Sequence, residues 1–331
     1  MKLLVRAPMV ERDLNRLKGV FSEIIYNPWT ITGERYYEDE MIELLTREKP
    51  DGLIIELDEI TEKVIRNYKG LKFIGDCRAT PENIDVKSCS AYGIPLLTTP
   101  GRNAQAVAEL WLSTVIMFLR NVLASMKWME EENWIDGTTP YYLFRGNELY
   151  EKHVGFIGMG AVPRAIFKLL KPFNCKVSYY DPYLKNEIEG AEKVSLEEIF
   201  KNCEIVSVHL PSNENTREMI DEKLLNLMKE DAIFINSSRS NVVDNKKLYR
   251  VLDERKIRGA IIDVFDVEPP IGGKTIFDNL DNVILTPHIY GATFEVVNHQ
   301  SKIITDKILK FIDGENLEEI IFNSDILTGE S

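Results

Sequence analysis

The chain has 331 residues, 44% of them hydrophobic, and a formal net charge of −13 from 40 basic and 53 acidic side chains. That length suits two domains with a sizeable buried core. The acidic balance argues against a protein that tracks nucleic acid by neutralising phosphates, while leaving room for a local basic pocket that takes a small anion. No signal-like apolar run develops at the N-terminus, because Arg6 directly follows MKLLV. The most apolar helical stretch, AVAELWLSTVIMFL, contains Glu109 and is too short to span a bilayer. Cys77, Cys89, Cys175 and Cys203 are dispersed without a C-x-x-C spacing, so they read as buried thiols of a reducing compartment and not as a disulfide frame or zinc site. A cytoplasmic location is expected, with no nucleic-acid or membrane partner.

In chain order, KLLVRA, GLIIEL, LKFIGDC and IPLLTT read as strands of a first part. HVGFIG, KVSYYD, IVSVHL, AIFINSS, AIIDVF and NVILTP read as strands of a second. Helical patterns lie between most of them, which predicts parallel sheets covered on both faces. One long helix is expected from about residue 103 to about 132, and a second from about 294 to 313. Two crossings between the parts predict a discontinuous domain, 1–100 plus 297–331, around a central domain, 101–296. The aromatic stretch around Trp128, Trp134, Tyr141 and Phe144 suits a subunit arm, or one folded back on its own chain.

GFIGMGAVPRA, at 155–165, has the strand–glycine–helix context of a dinucleotide loop. Gly158 would allow the tight turn and Gly160 the approach of a pyrophosphate. The N–H groups of Ala161 and Val162 would face the phosphates from the helix N-terminus. Pro163 stands where a third glycine is usual, a place in the first helical turn that tolerates proline. Asp181 ends the next strand, about twenty residues on, where a carboxylate binds the adenosine ribose of NAD and repels the 2′-phosphate of NADP. Lys185 is close enough in sequence to soften that repulsion.

Three further residues fall at or just past predicted strand ends: Arg239 in INSSRSNVVD, Glu268 in DVFDVEPP and His288 in LTPHIYGAT. Ligands of open parallel sheets bind beyond such ends. Arg239 offers a planar fork for a carboxylate, His288 can exchange a proton, and Glu268 can hold the imidazole.

Taken together, NIDVKSCSAYGIPLLTTPGRNAQAVAE, VGFIGMGAVPRAIFKLLKPF, AIFINSSRSNVVDNKKLYRVLDERKIRGAIIDVFDVEPP and NVILTPHIYGAT resemble the D-isomer-specific 2-hydroxyacid dehydrogenases over nearly the whole chain. The resemblance implies two Rossmann-like doubly wound α/β domains, the discontinuous catalytic one being flavodoxin-like. It implies NAD-dependent hydride transfer between a 2-oxo acid and a D-2-hydroxy acid, with Arg239, Glu268 and His288 catalytic. It implies cofactor contacts at Gly158, Gly160, Ala161, Val162, Asp181, His209, Pro211 and Ser238, with Asp263 at the nicotinamide carboxamide, and it implies a homodimer. An NAD(H)-sensing binding protein of the corepressor type, or an inactive relative, is the alternative that the same residues allow.

The substrate loop departs from the pattern. Where the family usually has a glycine-rich GxGxDN-like turn, this chain has GDCRATPENID, with Arg78 and Pro81 gained. A related subset carries a similar Cys-Arg turn. Arg78, Ala79 and Arg102 are therefore candidate substrate contacts, and Arg78 makes a phosphorylated or dicarboxylic acid attractive while leaving glyoxylate and hydroxypyruvate open. Tyr290 stands where a glycine is common, either narrowing the pocket or packing on it.

Overall fold

The four apolar runs of the first hundred residues become β1 Lys2–Val5, β3 Gly52–Ile55, β4 Phe73–Asp76 and β5 Leu96–Thr98, and a fifth strand, β2 Glu23–Tyr26, joins them. This is a computed structural model, and it describes residues 1–328. The five strands pair in parallel in the order β2-β1-β3-β4-β5, a flavodoxin-like order. Successive side chains point to opposite faces, so each strand supplies two cores. Leu3, Val5, Ile54, Phe73 and Leu97 pack on one face with Ile304 and Ile308 of the long helix Glu295–Asp313. Leu4, Leu53, Ile55, Ile74 and Leu96 pack on the other with Met41, Leu44 and Leu45 of the helix Glu38–Glu48. The segment around Asn323 is tied to the same sheet. Asn323 accepts the Leu96 N–H at 2.8 Å and donates to the Ile94 carbonyl at 3.0 Å.

Seven more strands form the second sheet: β6 His153–Ile157, β7 Lys176–Tyr180, β8 Glu192–Lys193, β9 Ile205–Val208, β10 Ile233–Asn236, β11 Gly259–Ile262 and β12 Val283–Leu285. All pairs are parallel, in the order β12-β11-β10-β9-β6-β7-β8. Strand order reverses between β6 and β9, which opens the crevice at their carboxyl ends where such sheets take ligands. Contacts divide the chain into two units, Met1–Asn103 with the residues from Thr293 onward, and Ala104–Ala292, against the expected 101–296 for the central part. Among the described residues no single helix is long and apolar enough to cross a membrane.

Two strands were not anticipated, β2 and β8. Both lie at sheet edges and are partly or wholly exposed, so they lack the continuous apolar run that marks a central strand. The long helix expected near 103–132 is two helices, Ala104–Leu119 and Val122–Glu130, bent by 66°. The break has a local cause. Asn121 adopts a left-handed backbone at φ 53°, and the Leu119 carbonyl accepts the Asn147 N–H and an Arg258 N–H instead of continuing the helix.

Gly158 directly follows β6 at φ 87°, and a Cβ there would lie 2.4 Å from the His209 carbonyl oxygen. Left-handed backbone and backbone contact both require glycine. Gly158→Ala is expected to destabilise the protein by about 1–3 kcal/mol or more in urea unfolding. An unchanged midpoint would contradict this account of the turn.

Candidate active site

The dinucleotide-type loop is built as its residues suggest. The Met159 N–H donates to Asp181 Oδ2 at 2.9 Å, tying the end of β7 to the loop beside it. Asp181 Oδ1 accepts the N–H groups of Tyr183 at 3.0 Å and Leu184 at 3.1 Å, so the carboxylate is fixed while Oδ2 keeps an acceptor position. Gly160 caps the helix Ala161–Leu170, and a Cβ added to it would meet nothing within 4 Å. Open space before an exposed helix N-terminus, with a fixed acid at the next strand end, fits the pyrophosphate and ribose of a dinucleotide. Pro163 is buried in the first turn of that helix, where an N–H would lack an intrahelical partner. It therefore fills the packing position of the usual third glycine without breaking the helix. The Arg164 Nε–H folds back to the Met159 carbonyl at 3.0 Å.

Across the switch point, His209 follows β9. Burial pushes its imidazole down to about 3, so the ring is neutral. Pro211 is exposed, and its carbonyl accepts the Thr216 hydroxyl at 2.6 Å.

Arg239, Glu268 and His288 are placed by β10, β11 and β12 respectively. The buried Asn236 side chain accepts the Ser238 N–H at 3.1 Å and hydroxyl at 3.0 Å, and its amide donates to the Arg239 carbonyl at 3.0 Å. That turn presents Arg239, whose Nη1 donates to the Ser238 carbonyl at 2.9 Å. Asp263 is 1% exposed and accepts from the Thr286 hydroxyl at 2.6 Å and the N–H groups of Ile289 at 2.9 Å and Tyr290 at 3.0 Å. Those bonds bracket His288, whose backbone is left-handed at φ 55°. His288 Nδ1 lies 2.6 Å from Glu268 Oε2, and Glu268 Oε1 accepts the Phe265 N–H at 2.8 Å. The carboxylate accepts the Nδ1 proton, which leaves Nε2, on an exposed ring, as the atom that gives or takes a proton. Asp266 Oδ1 accepts from the Ser240 hydroxyl at 2.6 Å and from Asn245 at 2.8 Å, tying the Glu268 loop to the segment that follows Arg239. Asn236, Asp266 and Asn245 were not singled out from sequence. A polar residue closing an apolar strand, as Asn236 does, was the available signal.

In the first unit, Arg78 is half-buried and pairs with Glu82 at 2.8 Å, and Ala79 is exposed. Arg102 is tied into its own unit. Its guanidinium pairs with Glu56 and donates to the Gln300 side chain, while Glu56 accepts the Trp29 indole N–H at 2.9 Å. Tyr290 is buried, with its hydroxyl 2.6 Å from that of Thr114, so it packs on the helix Ala104–Leu119. Asp76, which closes β4, has no exposure, and neither carboxylate oxygen has a well-formed hydrogen bond. Burial pushes its carboxyl well above the usual range, against the pull of Arg78 and Arg102.

Residues 112–289 match the family model of the D-isomer specific 2-hydroxyacid dehydrogenase NAD binding domain. The chain is 46% identical over 330 residues to YoaD of Bacillus subtilis (strain 168), which carries a 2-hydroxyacid dehydrogenase name; the match spans 99% of this chain and 96% of that one. It is 32% identical over 314 residues to a glyoxylate reductase of Thermococcus litoralis, spanning 89% and 93% of the two chains. The solved structure of the acyclic imino acid reductase Bsp5, in complex with NADPH and D-Arg, superposes with a TM-score of 0.79 at 26% identity, covering 98% of this chain and 99% of that one.

Asp76→Asn tests the buried acid. A carboxyl raised in the folded state gives stability that is complete below its unfolded value of about 4 and is lost as pH rises through its folded value. The melting temperature of Asp76→Asn relative to wild type is expected to be more favourable at pH 8 than at pH 4. The same difference at both pH values would mean that Asp76 is not raised.

Proposed function

The chain belongs to the D-isomer-specific 2-hydroxyacid dehydrogenases, NAD-dependent oxidoreductases acting on CH–OH groups, and on that premise we propose that it interconverts a 2-oxo acid and a D-2-hydroxy acid through Arg239, Glu268 and His288. The observation that carries the reading is the 2.6 Å contact between His288 Nδ1 and Glu268 Oε2, which leaves Nε2 open. When bound, NAD supplies the hydride acceptor or donor at the nicotinamide.

The remaining chemistry belongs to the side chains. Arg239 binds the substrate carboxylate through its fork and polarises the 2-oxo group. His288 donates the Nε2 proton to the oxygen on C2 during reduction and takes it back during oxidation. Glu268 fixes the ring so that the exchanged proton is always the one on Nε2. Gly158, Gly160, Ala161 and Val162 receive the pyrophosphate, and Asp181 receives the adenosine ribose. His209, Pro211 and Ser238 line the rest of the cofactor site. Asp263 would hold the nicotinamide carboxamide.

Arg78 is the candidate partner for a second anionic group. Its exposed pairing with Glu82 is cheap to exchange for a ligand, whereas Arg102 is already engaged by Glu56 and Gln300. This favours a phosphorylated or dicarboxylic 2-oxo acid, with Ala79 beside it. The working form is a cytoplasmic homodimer. In its support, Trp134, Ile135, Tyr141, Tyr142 and Leu143 are each more than 60% exposed within one short stretch, a surface that a partner subunit would cover.

His288→Ala is expected to lower 2-oxo acid reduction by about 10²–10⁴-fold while fluorescence titration still shows NADH binding. Wild-type turnover by this variant would remove His288 from the mechanism. Sedimentation velocity is expected to show a dimer, and a monomer independent of concentration would refute the assembly.

A further inference from the structure

His209 stands at the carboxyl end of β9, opposite the Gly158 turn that follows β6, at the point where strand order reverses. Its ring packs 5.6 Å from that of Phe156. Its Nε2 lies 2.9 Å from Ser207 Oγ, and the same oxygen lies 2.9 Å from the indole Nε1 of Trp111. Both Trp111 and Ser207 are fully buried.

The direction of each hydrogen bond follows from what the groups can do. An indole N–H only donates, so Ser207 Oγ accepts from Trp111. The serine hydroxyl carries one proton, and among the described residues His209 Nε2 is its one available acceptor. Leaving a buried hydroxyl proton unused is costly. The proton therefore goes to Nε2, and the imidazole carries its own hydrogen on Nδ1. Burial keeps the ring from taking a second proton at working pH. Among the described residues the Nδ1–H has no protein acceptor, and His209 follows β9 with its backbone carbonyl beside the Gly158 turn of the dinucleotide loop.

We propose that Trp111 and Ser207 are positioning residues that lock His209 as the uncharged Nδ1–H tautomer, making it a fixed hydrogen-bond donor to an oxygen of the bound dinucleotide. The proposal rests on the reading of the β6 loop as the dinucleotide site. The lock matters because the other tautomer would turn a lone pair toward an oxygen. A charged ring would add an attraction that changed with pH. It would also discriminate between oxidised and reduced cofactor, whose nicotinamides differ by one positive charge. A neutral donor held from behind binds both forms alike.

The test is long-range proton–nitrogen NMR of protein carrying ¹⁵N-histidine, without nucleotide, from about pH 5 to about pH 9. The four histidines of the chain are assigned with His209→Gln. His209 is expected to show a protonated Nδ1 and an unprotonated Nε2 that do not move across this range. In Ser207→Ala the ring is expected to lose its single tautomer, and NADH affinity is expected to fall about five-fold by fluorescence titration. Trp111→Phe, which removes the donor behind Ser207, is expected to populate the Nε2–H form. A wild-type His209 that titrates in this range or carries its proton on Nε2 would overturn the proposal. So would Ser207→Ala with unchanged tautomer and unchanged NADH affinity. If the wild-type tautomer is as expected but NADH does not bind, the dinucleotide reading falls and the lock stands.

Discussion

The carboxylate of Asp263 accepts three hydrogen bonds from the turn after β12, and the position of His288 depends on them. A left-handed backbone at a non-glycine residue is costly and persists only where its surroundings over-determine it. Asp263 supplies that constraint from the end of β11, and Glu268, five residues along the same loop, then fixes the ring. Between them, Asp266 holds Ser240 and Asn245 and so ties down the segment beside Arg239. Three acids of one short loop thus divide the work. The first sets the backbone of the histidine, the second anchors the neighbourhood of the arginine, and the third orients the imidazole.

The two histidines at the carboxyl edge of this sheet show how environment separates roles. His209 is half-buried, backed by Ser207 and Trp111, and desolvation holds it neutral. His288 is exposed, backed by a carboxylate, with its outer nitrogen open. The same side chain type thus meets two different environments at one sheet edge, one that fixes its hydrogen and one that leaves a nitrogen able to exchange a proton. A similar separation holds for the arginines. Arg102 is engaged by Glu56 and Gln300, while the half-buried Arg78 pairs with Glu82 at 2.8 Å.

Much of this was legible in the sequence because it rests on local pattern. Central strands are continuous apolar runs, the glycine loop follows one of them, and Arg239, Glu268 and His288 each sit just past another. What was not legible depends on contacts between distant residues. The helix break at Asn121 needs Asn147 and Arg258 to take over the Leu119 carbonyl. The tautomer of His209 depends on Trp111, which is 96 residues from the serine between them. Sequence leaves Tyr290 either narrowing the pocket or packing on it, and the choice depends on Thr114, 176 residues away, whose hydroxyl lies 2.6 Å from that of Tyr290. The edge strands β2 and β8 escaped for a different reason, since an exposed edge carries no apolar signature.

The central claim is direct reduction of a 2-oxo acid at the edge that carries Arg239 and His288. Its most direct test uses NADH carrying deuterium at nicotinamide C4 with glyoxylate, pyruvate, hydroxypyruvate, phosphohydroxypyruvate and 2-oxoglutarate. Products are read by NMR and by chiral chromatography. The account predicts deuterium on C2 of a D-configured 2-hydroxy acid for at least one member of the set. An L-configured product, or bound NADH with no member reduced, would contradict it.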